Sequence, residues 1–114
     1  METKETPAIV MQEKVKADFR KWYVAREHNF NVSWWAFEDL PFNFRSGVYT
    51  AYLRDRGIYL WACPISSLHT PALSWGWAIA GYDVGTNYTD HDTALISAIN
   101  EGFRIVEEQL KDKP

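Results

Sequence analysis

The groups in this chain that could do chemistry are three histidines, one cysteine and two short acidic runs. His28, His69 and His91 never fall at the two- or four-residue spacing that puts two imidazoles on one side of a strand or helix, so a metal site would need ligands from distant segments. The run Asp90, His91, Asp92 resembles a metal or acid–base cluster. Its place at the start of a helical pattern offers a plainer role, because carboxylates there accept hydrogen bonds from unpaired backbone N–H groups. Glu38 and Asp39 stand just before Pro41 and read as a solvated turn rather than a proton-transfer pair. No Gly-x-Ser-x-Gly elbow, phosphate-binding P-loop or dinucleotide glycine motif occurs. Cys63, the single cysteine, cannot form an internal disulfide, and its apolar neighbours in IYLWACPI make it a buried strand residue rather than an activated thiol. Asn31 and Asn87 open glycosylation sequons that read as chance without a secretory signal. No catalytic residue, metal or cofactor is assigned.

The aromatic residues remain. They make up 16% of the chain and include six Trp, with a dense run in SWWAFEDLPFNF at residues 33–44. Rings left in water are costly unless something covers them, and exposed Trp and Tyr are enriched where proteins bind one another. The candidates for such a surface are Trp35, Phe37, Tyr49, Tyr59 and Trp61. A competing expectation folds Leu40, Phe42, Phe44 and Leu68 over the same face to complete the core. A further alternative uses Arg45, Arg54 and Arg56 beside the rings to bind a single-stranded nucleic acid by stacking and charge.

Bulk properties bound these choices. A chain of 114 residues, 46% hydrophobic and 24% charged, suits one globular domain. A net charge of -3 opposes broad electrostatic attachment to duplex nucleic acid or anionic lipid, so nucleic acid is the weaker expectation. The opening METKETPAIVMQEK does not fit a signal peptide, and no apolar run reaches the roughly 18 residues of a membrane span. A cytoplasmic protein with no membrane partner is expected.

The elements that would position these residues follow from periodicity. Residues 1–8 form a polar lead-in, and residues 9–114 a single domain. Met11, Val15, Phe19, Trp22 and Tyr23 recur at helical spacing over residues 9–28, opposite a charged, mildly basic face. The period then changes to two, predicting strands at residues 30–37, 47–53 and 58–63. The last two would join through Gly57 as a hairpin, with a helical alternative over 50–63. Residues 66–73 read as a loop, 74–84 as a strand with small residues where a neighbour comes close, and 85–87 as a turn. A final helix, capped by Thr89 or Asp90, carries Leu95, Ala98, Ile99, Gly102, Phe103, Val106 and Leu110 on one face. Glu107, Glu108 and Asp112 are expected to face water.

The fold class is therefore α+β: a two-layer sandwich in which an antiparallel meander of three to four strands has the N-terminal and C-terminal helices on one face (α-β-β-β-β-α). Trp22 leading to Glu27 and His28, then Asn29, Phe30, Asn31 and Val32, with Ala98, Ile99 and Gly102 in the closing helix, resembles a loose group of small uncharacterised proteins of Bacteroidetes phages and conjugative elements. That resemblance spans roughly residues 15–110 and implies a mobile-element accessory role without an activity. The expected function is a non-enzymatic binding module that self-associates as a homodimer or binds a protein partner through an aromatic sheet face. A single-stranded nucleic-acid binder and a small enzyme with an unrecognised site are the alternatives.

Overall fold

A computed structural model describes residues 8–67 and 70–112. The chain runs through helices α1 (Glu13–Ala25), α2 (Glu27–Phe30), α3 (Trp34–Phe37) and α4 (Phe42–Asp55), strands β1 (Leu60–Ser67), β2 (Thr70–Ile79) and β3 (Val84–Tyr88), and helix α5 (His91–Lys111). The strands form an antiparallel sheet in the order β1-β2-β3. This is an α+β architecture, a three-stranded meander packed against helices.

The two long terminal helices form for the reason their periodicity gives. Val15, Phe19, Trp22 and Tyr23 of α1 are buried on one stripe, as are Ala98, Ile99, Gly102, Phe103 and Val106 of α5. Asp90 caps α5, its carboxylate accepting the Thr93 N–H at 2.7 Å. Helix α5 lies across all three strands, while α1 and α4 pack against α5. The core is thus layered: sheet, then α5, then the other two long helices.

Two predicted strands are helical. Residues 30–37 contain the end of α2, a left-handed Asn31 with φ of 55°, and α3. Residues 47–53 lie inside α4, so the hairpin expected over 47–63 does not form. Its β-branched and aromatic composition is overridden by packing. Val48, Tyr49, Tyr52 and Leu53 fall at helical spacing, and Tyr49 and Tyr52 meet Phe103 with ring centroids 5.5 and 6.2 Å apart. Gly57 does adopt a positive φ of 85°, but it stops α4, where the Ile58 N–H returns to the Leu53 carbonyl at 2.8 Å.

The sheet also begins and turns elsewhere than expected. Strand β1 extends to Ser67 and β2 starts at Thr70, so the predicted loop over 66–73 shrinks, with Leu68 and His69 outside the described residues. Strand β2 ends at Ile79, and Gly81, with φ of 80°, takes the hairpin turn that leads into β3. Residues 85–87, expected as a turn, are strand.

Candidate functional site

Pairing fixes which side chains share a face. In β1–β2 the partners are Leu60 with Ile79, Trp61 with Ala78, Ala62 with Trp77 and Cys63 with Gly76, and Ala78 pairs onward with Val84 of β3. Because successive residues of a strand point to opposite sides, Leu60, Ala62, Trp75, Trp77, Ile79 and Tyr88 form the inner face, and all six pack into the core. The Trp77 indole donates to the Tyr88 hydroxyl at 3.1 Å. A side chain at Gly85 would collide with that indole.

The outer face carries Trp61, Cys63 and Ile65 of β1, Gly76 and Ala78 of β2 and Val84 of β3. The side chain of Ile65 lies over Gly76, in space a methyl group there would need. Trp61, Ala78 and Val84 make one row across the three strands, with Trp61 49% and Val84 63% exposed. Tyr59, immediately before β1, is 55% exposed. None of the residues in the three strands is charged. Edge strands of natural sheets are commonly guarded by charges, and here only Pro64 interrupts the β1 edge.

The residues singled out from sequence do not assemble into one face. Trp61 belongs to the sheet, and Tyr59 immediately precedes it. Phe37 and Tyr49 are helical and buried around Phe19, with ring centroids 5.7 and 5.4 Å from it, and so belong to the core. Burial pushes the Tyr49 phenol up, opposed by Arg45. Trp35 is 83% exposed but stands on α3, away from the sheet. Its neighbour Trp34 turns inward against Phe19 and Tyr23. Phe42 and Leu40 do pack on the core, whereas Phe44 stays exposed.

The three arginines are likewise separated from the sheet rings. Arg45 donates to the Leu40 carbonyl at 3.0 Å and to the Tyr49 hydroxyl at 3.4 Å. Arg56 donates to Asp18 at 2.7 Å and lies over the Tyr52 ring. Arg54 is exposed on the last turn of α4. Cys63, expected as a buried residue, is half-buried on the outer sheet face. His91 meets Asp92 at 3.1 Å on the surface, and its ring packs edge-on against Trp75.

No family model, curated protein or solved structure matches this chain. Among the described residues no helix is long and apolar enough to cross a membrane, and no three His, Cys, Asp or Glu side chains are grouped to hold a metal ion.

Sequence reasoning missed one feature. Arg20 of α1 lies 6.0 and 5.9 Å from the Trp34 and Trp35 rings, joining an exposed Trp to a basic helix face. The signal was present in Lys14, Lys16, Arg20 and Lys21, but a charged helix face ordinarily means only solvent.

Proposed function

We propose that this protein is a non-enzymatic interaction module of the cytosol that self-associates through the outer face of its sheet. The row Trp61, Ala78, Val84 carries the reading: an apolar row with Trp61 and Val84 exposed at its ends, in a sheet whose strands contain no charged residue. Burying such a face isolates no ion borne by the strands, and so avoids the desolvation cost of an unpaired buried charge. A second copy meets the requirement directly, since it presents the same uncharged face and a two-fold contact pairs that face with itself. Among the described residues, every Asp, Glu, Lys and Arg lies outside the three strands. The resemblance of the Trp22 and Ala98 motifs to mobile-element proteins fits an accessory role of this kind.

The test is solution mass by light scattering across a dilution series, for the native chain and Trp61→Glu. A native dimer that Trp61→Glu converts to a folded monomer is the expected result. A native monomer at every concentration, or a dimer indifferent to Trp61→Glu, would remove the proposal.

A further inference from the structure

Away from the sheet, α1 shows a second surface of different chemistry. Its solvent side, read around the helix, has Lys14 and Lys21 along one margin, Lys16 and Arg20 along the other, and the small or apolar Ala17 and Val24 between them. All six are exposed. Among the described residues, none of the four cations forms an ion pair, whereas the other basic residue of this region, Arg26, is held by Asp55 at 3.7 Å. Of the α1 acids, Glu13 lies within this stripe, whereas Asp18 accepts from Arg56 and from the Tyr52 hydroxyl at 2.6 Å.

Against one margin of the stripe sits a cleft of about 420 Å³ lined by Lys16, Arg20, Trp34, Trp35, Glu13 and Glu38. Its wall is the exposed Trp35 ring, with the Arg20 guanidinium 5.9 Å from the ring centroid. A Trp left 83% in water is the largest uncovered aromatic of the described chain. Such a ring offers a face to stack on, and the neighbouring cations offer charge at about the one-turn spacing of a helix. Within the cleft lining Glu13 and Glu38 balance Lys16 and Arg20, so the excess positive charge of this surface comes from Lys14 and Lys21 on the other margin of α1; the two carboxylates can accept from base N–H groups.

We propose that this surface binds single-stranded nucleic acid, one base stacking on Trp35 while adjacent phosphates contact Arg20 and Lys16 beside the cleft and the strand continues across Ala17 toward Lys21. Single strands are held in this way by sequence-tolerant stacking combined with a cationic track. A duplex, whose bases are already stacked, could use only the charges. An acidic peptide or an anionic membrane would satisfy the cations but leave the exposed indole without its stacking partner.

The experiment is fluorescence anisotropy of a short labelled oligothymidylate, titrated with the full chain at low salt and again as salt rises. Affinity should fall with salt, by a log–log slope of about 0.7 for each phosphate contacted. Trp35→Ala should weaken binding roughly 5- to 150-fold, the effect of losing one stacked base. Arg20→Glu should weaken it and flatten the salt slope. Both positions are at the surface, and unchanged circular dichroism melts would establish that the variants are folded. Three results would overturn the proposal: no anisotropy change at low salt, equal affinity of the native chain and Trp35→Ala, or binding to polyglutamate or anionic vesicles but not to the oligonucleotide. Trp61→Glu, which removes the proposed sheet contact, should leave oligonucleotide affinity within about twofold.

Discussion

The carboxylate of Glu107, deep in α5 and only 4% exposed, accepts a hydrogen bond at 2.9 Å from the backbone N–H of Val15, the third residue of α1. The start of α1 has no side-chain cap of its own, since Gln12 makes none. Glu107 therefore does from 92 residues away what an Asn or Ser does locally, satisfying an orphan N–H at the positive end of the helix. Asn100, two turns earlier on α5, pairs with the Ala8 carbonyl and the Val10 N–H at 2.9 and 2.8 Å. Together they dock the entry of the first helix onto the last.

Glu107→Ala should thus cost about 1–2 kcal/mol by leaving a buried N–H unpaired. Glu107→Gln keeps an acceptor oxygen and should cost less. Urea denaturation measures both, and equal losses would show that charge rather than acceptance matters.

Two helical glycines should respond in opposite directions. A methyl added at Gly47 in α4 meets nothing within 4 Å, so Gly47→Ala should stabilise by roughly 0.5–1 kcal/mol through helix propensity. At Gly102 in α5 the same atom would stand 2.9 Å from Leu53 Cδ1. Gly102→Val should therefore destabilise by about 1–3 kcal/mol through overpacking. The comparison of melting midpoints reads both.

Core aromatics set the scale for larger losses. Phe103 is fully buried and meets Tyr49 edge-on, while Trp22 is buried with its indole donating to Asp55 at 2.8 Å. Truncating either to Ala should cost about 3–5 kcal/mol. A loss below about 1 kcal/mol in denaturant would contradict the packing described.

Acid stability should report Asp90. Hydrogen bonds from the Thr93 N–H, then its hydroxyl, hold the Asp90 carboxyl below its usual value of 3.8. A folded pKa below the unfolded one means stabilisation that is present above 3.8 and lost as pH falls through the folded value. Asp90→Asn removes that titration while keeping a cap. The fall in stability between pH of about 5 and about 3 should be steeper in the native chain than in this variant.

Tyr52 should stay protonated where ordinary tyrosines ionise. Burial, then the Asp18 carboxylate that accepts its hydroxyl, raises its pKa well beyond the usual phenol range. Alkaline difference absorbance near pH 10 should therefore be the same for the native chain and Tyr52→Phe. A smaller rise in the variant would place Tyr52 in water.

What the sequence by itself determined is local. The stripe of Val15, Phe19, Trp22 and Tyr23, the long stripe of α5 with a cap at Thr89 or Asp90, and the apolar halves of β1 and β2 at residues 60–63 and 74–79 state their conformation through period and composition, which act between near neighbours. What tertiary structure decided is every place where a distant partner outweighed that signal. Residues 47–53 look like a strand, yet fold as helix because Phe19 and Phe103 accept Tyr49 and Tyr52 from helical positions. Glu107 looks solvated, yet is buried because the open end of α1 arrives beside it. Trp34 and Trp35 are adjacent and identical in kind, and only the turn of a four-residue helix sends one inward and the other to water. Periodicity records which side of an element is apolar, but what will cover that side depends on contacts between segments far apart in the chain.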